Sequence, residues 1–360
     1  MDFRSSNVVV PCVQELAKDP NMVSVPPRYI RNDQTQIDQT NNSSVISSDE
    51  TPVINFQNLL LISQSHHPQL YQSELNKLHS ACKEWGFFQL VNHGISDSLV
   101  EKIKEGIEKL CKLPIEEKNK LWRNPGDLEG IGDPVVFSDE QKLDWKDELF
   151  LITLPLALRN PHLFPNLPLP FRENLEIYSL QLAKLAKDII SQMEKVIGIE
   201  SKEISKLFED GIQSMSINYY PPCPQPEKVT GVAPHSDACG ITFLLQLNQV
   251  DGFQVKKDGM WIPIKPLPNA FIVTLGDLLE IITNGIYLSN EHKAIVNSTK
   301  ERMSIATFLN TNEDCEIGPA HSLITQQNPA LYKTLSSKDY VKGIFSREVY
   351  GRSYVQEMKL

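Results

Sequence analysis

The strongest constraint on the fold lies in the second half of the chain, where short β-type runs are broken repeatedly by turn residues. Gln213–Tyr220, Thr242–Leu247, Gly252–Lys257, Met260–Ile264, Ala270–Thr274, His292–Val296 and Arg302–Leu309 each read as a strand. Asp258-Gly259, between two of them, is a two-residue hairpin signal. So many short strands within about 100 residues predict a sandwich or jelly roll.

The first half has a different rhythm. Thr51–Phe56 and Phe87–Val91 read as strands. Leu75, Leu78, His79 and Cys82 share a helical face that stops at Gly86. Further helices are expected over 96–112, after Pro114, and over 171–197, where Leu180, Leu182, Leu185 and Ile189 are apolar positions. The Pro- and Leu-rich interval 151–170 reads as an extended crossing, which leaves the first half with two or three strands. The expected class is therefore mixed α+β: a sandwich or jelly roll in the second half, with a helix-rich first half. We divide the chain into an N-terminal segment and flexible linker (1–50), a helix-rich region (51–208), the jelly-roll core (209–312), and a C-terminal loop and helix (313–360). Residues 31–50 are almost wholly polar and form the linker.

Composition excludes several functions. A formal charge of −10 over 360 residues argues against nucleic acid as a partner, because phosphate neutralisation needs clustered cations. The most apolar stretch, Ala270–Leu288, is interrupted by Asp277 and Glu280, so no membrane span is expected. The N-terminus carries no cleavable signal pattern, and the chain ends Met-Lys-Leu, which is no retrieval or peroxisomal address. Six cysteines without a C-x-x-C pair argue against a zinc knuckle or a disulfide framework. A reduced, cytoplasmic, monomeric protein is expected.

The chemistry starts at His235-Ser236-Asp237. Side chains at i and i+2 of a strand point to one face, so an imidazole and a carboxylate converge there. That pattern is weak on its own. A second strand begins at His292, and Asn297-Ser298-Thr299 reads as a turn leading to a returning strand from Arg302. An odd turn would set Arg302 opposite Ala294, on the face of His292, with Ser304, Ala306 and Phe308 following on that side. Ser216, Asn218 and Tyr220 likewise share one face of their strand.

Two imidazoles and one carboxylate leave open positions on an octahedral metal, which favours non-haem Fe(II) over a closed four-ligand zinc site. A fixed guanidinium nearby can grip a carboxylate bidentately, with Ser and Tyr hydroxyls in support. This combination suits a keto-acid that chelates iron at one end and is anchored by Arg302 at the other.

At these residues the chain resembles the plant iron(II)- and 2-oxoglutarate-dependent dioxygenases, in the branch of norcoclaurine-synthase-like and codeine and thebaine O-demethylase-like proteins. The resemblance is carried by Val13–Ala17, Ala81–Gly94, Asp139–Trp145, Asn218–Pro224, His235–Asp237, Lys265–Phe271, Gly276-Asp277, Thr283–Gly285 and His292–Ser304. It covers about residues 10–355 and implies a distorted double-stranded β-helix, a jelly roll, backed by helices from the first half. The resemblance implies that His235, Asp237 and His292 bind Fe(II), and that Arg302 and Ser304 hold the distal carboxylate of 2-oxoglutarate. Tyr220 and Asn218 would line the same pocket. It also implies O2 as oxidant, ascorbate as a supporting reductant, and hydroxylation, O-demethylation or desaturation of a small plant metabolite, with an alkaloid as one candidate.

Several residues depart from the branch's pattern: Ser216, Ala238-Cys239, Leu288, Lys293 and Leu309-Asn310. None is a predicted ligand, and they read as a reshaped substrate pocket. Its candidate residues are Ser216, Ala238, Phe308, Asn310, Asp144 and Val135, with the 131–145 loop and the 335–350 helix as lids. Asp144 reads equally well as a helix cap. His66, His67, His79, His93, His162 and His321 read as structural or surface residues, the four tryptophans as core, and Cys239 as a small pocket-lining side chain. A ligand-binding protein or a non-oxidative catalyst on the same scaffold is the competing reading.

Overall fold

The computed structural model describes residues 10–31, 51–61, 68–124, 126–132, 136, 138, 140–199, 201–345 and 352–360. Most of the expected linker lies outside them, as do Val135, His66 and His67.

The strands are β1 (Val53–Asn55), β2 (Phe87–Val91), β3 (Gly130–Ile131), β4 (Asp147–Leu154), β5 (Gln213–Tyr220), β6 (Val232–His235), β7 (Ile241–Gln246), β8 (Phe253–Lys257), β9 (Met260–Pro263), β10 (Phe271–Leu275), β11 (His292–Ala294), β12 (Arg302–Leu309), β13 (Glu316–Ile317) and β14 (Leu335–Ser336). The α-helices are α1 (Val13–Ala17), α2 (Phe56–Leu59), α3 (Pro68–Glu84), α4 (Asp97–Cys111), α5 (Ile115–Lys118), α6 (Phe171–Val196), α7 (Glu203–Leu207), α8 (Asp277–Ile282), α9 (Ser337–Phe345) and α10 (Ser353–Glu357).

The large sheet runs β1-β2-β10-β7-β12-β5-β4-β3 and the small one β6-β11-β8-β9. Only β1 and β2 pair in parallel; every other named pair is antiparallel. The large sheet draws strands from both sides of residue 208. The β8–β9 turn forms as its sequence predicts, with Asp258 and Gly259 both at positive φ.

Alternation decides which side of the large sheet each residue serves. Met303, Ile305, Ile217, Leu149 and Phe243 point outward into the main core, with Leu175, Tyr178, Leu182 and Ile189 of α6. A smaller cluster, including Leu244, Ala306, Ile272, Phe253 and Val255, fills the space between the sheets. A third joins the N-terminal segment to the site region through Val13, Tyr29, Trp145, Tyr220 and Val296.

The structure departs from expectation at five points. The segment 151–170 is not wholly a crossing, because its first residues complete β4, which pairs with β5 from Asp147 to Leu154. The first half thus supplies four strands rather than two or three. β11 and β12 do not form a hairpin. β11 pairs with β6 and β8, whereas β12 pairs with β5 and β7 in the other sheet. The loop 295–301 crosses between layers, since both flanks of each strand are already taken. On α6, Leu180 lies on the solvent side. Of the four tryptophans, Trp145 is wholly buried and the others are half-buried, Lys293 and Lys256 lying over the Trp261 ring.

Candidate active site

The inner face of the large sheet is a lattice set by strand register. Tyr220 stands opposite Arg302; Asn218 lies between Glu148 and Ser304, and Ser304 opposite Gln246. Ser216 follows between Phe150 and Ala306, then Ser214 between Ile152 and Phe308. The rows grade from charged to apolar, and they line two adjoining cavities. The smaller, about 160 Å³, holds Arg302, Ser304, Tyr220, Asn218, Ser216, His235, Asp237 and His292. The larger, about 440 Å³, is lined by apolar groups including Leu128, Phe150, Ile152, Leu278 and Ile344, with Ala238, Cys239 and Asn310. Phe308 lines both.

His235 ends β6 and is the register partner of His292, which begins β11. Asp237 lies just past β6, where its carbonyl accepts from the Asp277 N–H at 2.8 Å. Its Oδ1 is 3.4 Å from His235 Nε2 and 3.6 Å from His292 Nε2. One ligand atom from each residue falls within 4.8 Å of the others. The supporting contacts aim these atoms inward. Nδ1 of His235 is 2.8 Å from Ala233 O, and Nδ1 of His292 is 3.2 Å from Asn290 O. Donation to those carbonyls places each ring proton on Nδ1 and leaves the Nε2 lone pair facing the cavity. Thr242 and Thr274 donate to Asp237 Oδ2 at 2.6 and 3.1 Å, which leaves Oδ1 for a metal.

Protonation favours metal binding at two of the three residues. Burial lowers His292 to about 4 against the pull of Asp237, so its imidazole is neutral near pH 7. Burial alone would raise Asp237, but His292, His235 and Thr242 hold it well below the usual carboxylate range. His235 differs: burial pulls it down, but its contact with Asp237 outweighs burial and raises it, so metal binding there displaces a proton. With that proton gone, two imidazole nitrogens and one carboxylate oxygen fit Fe(II) with positions to spare.

The candidate for an anion anchor lies on the facing sheet. Arg302 is 1 % exposed, and its Nη2 donates weakly to Gln246 Oε1 at 3.3 Å. Its Nε and Nη1, and the Ser304 hydroxyl, are buried without a partner. A desolvated guanidinium edge beside an unpaired hydroxyl is costly by itself and fits a carboxylate. The Tyr220 ring lies 5.0 Å from the guanidinium carbon. Gly252 makes room for this arginine, since a Cβ there would come within 2.8 Å of Arg302 Cδ.

The other expected residues divide. Ser216 reaches the smaller cavity, Ala238 and Asn310 the larger, and Phe308 both. Asp144 lies elsewhere: its Oδ1 accepts from Arg31, Thr230 and the Ala233 N–H at 3.0–3.1 Å. It thereby braces the strand that presents His235. His93 is a turn residue bonded to Asn269 O and the Ile95 N–H, and His79 lies against Tyr287. Cys239 is buried against Thr242.

Sequence reasoning missed Thr242, Thr274, Gln246, Lys146 and Glu148. The signal for the last two was the alternation of Leu149, Leu151 and Thr153, which marks β4 and puts Glu148, Phe150 and Ile152 on the opposite, cavity face. On the C-terminal side, Tyr340, Val341 and Ile344 of α9 cover the larger cavity, and Tyr340 Oη donates to Ala238 O at 3.1 Å. No described helix is long and apolar enough to cross a membrane.

Comparison with known proteins agrees with this geometry. Residues 211–311 match the family model of the 2OG-Fe(II) oxygenase superfamily, and residues 51–167 match that of the non-haem dioxygenase in morphine synthesis N-terminal region. The chain is 49% identical to Protein SRG1 of Arabidopsis thaliana, over 99% of this chain and 98% of that one. It is 49% identical to oxoglutarate-dependent flavonoid 7-O-demethylase 1 of Ocimum basilicum (98% and 91% covered) and 50% identical to codeine O-demethylase of Papaver somniferum (98% and 96%). Among solved structures, JOX2 in complex with 2OG, Fe and JA superposes with a TM-score of 0.86 at 33% identity, covering 98% of both chains.

Proposed function

The chain belongs to the 2OG-Fe(II) oxygenase superfamily, and on that premise we propose that it oxidises an apolar, ring-bearing small molecule, with O-demethylation of an aryl or alkyl methyl ether as the favoured outcome. His235, Asp237 and His292 would hold Fe(II). Arg302 and Ser304, with Tyr220 beside them, would hold the distal carboxylate of 2-oxoglutarate. When bound, the metal and co-substrate supply the oxidative decarboxylation that drives C–H oxidation.

The observation that carries this reading is the pairing of buried, unsatisfied Arg302 and Ser304 donors with a three-ligand set across one cavity. The chain's own part is to hold the ligands in one geometry, orient the keto-acid, and keep water away from the reacting carbon. The apolar cavity under α9 supports a flat hydrophobic substrate placed beside the metal. Two relatives named as O-demethylases, one of a flavonoid and one of codeine, support the methyl ether.

The test is conversion of 2-oxoglutarate to succinate by Fe(II)-loaded protein, with formaldehyde measured in the presence of methoxylated flavones and alkaloids. Formaldehyde and succinate in equal amounts are expected. Absence of succinate under all conditions would sink the dioxygenase reading; succinate with a hydroxylated product and no formaldehyde would sink O-demethylation alone. The six free cysteines and the acidic charge support a monomer working in the cytoplasm without nucleic acid. Light scattering and a fluorescent fusion check those points.

A further inference from the structure

The cavity wall carries a charged pair that neither the metal nor the 2-oxoglutarate anchor uses. Lys146 Nζ donates to Glu148 Oε2 at 2.8 Å and to Asn218 Oδ1 at 3.0 Å, while Ser216 Oγ donates to the other Glu148 oxygen. Side-chain exposures are 13% and 14%, and both residues line the smaller cavity with the metal triad. Both are charged: burial opposes it, but Glu148 raises Lys146, and Lys146 with Ser216 lowers Glu148.

Such a pair needs a reason. Desolvating two charges costs several kcal/mol per ion, and well-packed apolar residues in their place are often neutral or stabilising. The pair is not needed to hold β4, which is bonded to β5 along its length. It also sits where the wall changes character, since Phe150 and Ile152 follow Glu148 on the same face and line the larger cavity.

Counting valences identifies the complementary group. The ammonium has three N–H groups and uses two here; the carboxylate oxygens each keep a lone pair beyond the bond they accept. The pair therefore offers one donor and one acceptor side by side. An anion would meet Glu148, a cation would meet Lys146, and a purely apolar group would leave both unsolvated. A hydroxyl satisfies both, accepting from the ammonium and donating to the carboxylate.

We propose that Lys146 and Glu148 are the specificity element of this site, receiving a free hydroxyl of the substrate, phenol or alcohol, while the substrate's ring system fills the apolar cavity. This rests on the dioxygenase reading above. It predicts a substrate with one polar anchor on an otherwise hydrophobic frame.

The test uses matched compounds: 7-methoxyflavone and its 4′-hydroxy derivative, and a methoxylated isoquinoline with and without a phenolic hydroxyl. Binding is measured by fluorescence quenching with protein carrying Fe(II) and 2-oxoglutarate under anaerobic conditions. In at least one pair the hydroxylated member should bind about tenfold to a hundredfold more tightly, the range for a hydrogen bond to a charged group. The double variant Lys146→Met/Glu148→Leu, which leaves no orphaned charge, should bring that ratio close to one. Glu148→Gln, the gentler change, should reduce it in part and serves alone if the double variant fails to fold. A ratio near one in the unaltered protein, no binding of any member, or a ratio untouched by the substitutions overturns the proposal. Failure of the unaltered protein to bind Fe(II) and 2-oxoglutarate, measured separately in the same series, overturns the dioxygenase reading instead.

Discussion

His292 and Arg302 face one cavity from opposite layers: His292 begins β11 of the small sheet and Arg302 begins β12 of the large one. A single short loop thus links the metal side of the site to the anion side. The two functions are separable in structure, because no hydrogen-bonded ladder couples the strands that carry them.

Separability gives the first prediction. His292→Ala should abolish Fe(II) binding in calorimetry. Arg302→Ala should leave Fe(II) affinity within a fewfold and raise the 2-oxoglutarate Kd by about 100-fold, the scale of losing a charge-assisted bidentate contact. Loss of iron with retained co-substrate affinity in Arg302→Ala would reverse the assignment.

Thr242 and Thr274 both hold Asp237 Oδ2. Thr242→Val keeps the shape and removes the shorter bond. Iron affinity should fall about 10- to 100-fold, the usual effect of losing a group that orients a ligand, with little change in unfolding midpoint. An unchanged metal Kd would mean that the hydroxyl does not orient the carboxylate.

Burial raises the Glu129 carboxyl to about 7 from an ordinary value of 4.5, although it accepts from the Ile152 N–H at 2.7 Å. Its folded value is above its unfolded one, so its stabilising contribution is complete below about 4.5 and lost as pH rises through 7. Glu129→Gln keeps an acceptor and cannot ionise. The variant should gain up to about 3 kcal/mol over the parent at pH 8 and little at pH 5. Denaturant titrations at the two pH values check this; equal differences would show that Glu129 does not titrate in this range.

Asp147 ties the N-terminal segment to β4, accepting from the Val13 and Gln14 N–H groups at 2.7 and 2.8 Å. Asp147→Ala leaves both donors unpaired beside a buried cluster and should cost about 2–4 kcal/mol. Because β4 also presents Glu148, the melting temperature should fall together with affinity for methoxylated flavones. A stability loss with no change in ligand affinity would separate the two roles.

Much of this site was readable from residue order. The i, i+2 spacing of His235 and Asp237 and the alternation from Arg302 to Phe308 bring those side chains to one cavity, as does Ser216 to Tyr220 on β5. What order alone could not supply was the strand partner. The residues between Ala294 and Arg302 permit either a hairpin or a crossing between layers, and only the competition of β5 and β7 for β12 selects the crossing. Thr242 and Thr274 come from two further strands, and their convergence on Asp237 depends on that pairing. Asp144 was ambiguous because a carboxylate in a loop before a strand can serve substrate or structure; here three donors hold it outside both cavities.

The row arrangement of β4, β5 and β12 also sets what lengths of insertion the chain tolerates. Adding one residue within β12 would turn Arg302 or Phe308 toward the helices and bring Met303 or Ile305 to the cavity, so catalysis and core would fail together. Adding two would keep each side chain on its face but slide one end by about 7 Å, out of line with the metal. Point substitutions in the apolar rows break neither rule. The scaffold can therefore change substrate one side chain at a time, while the lengths of its inner strands stay locked.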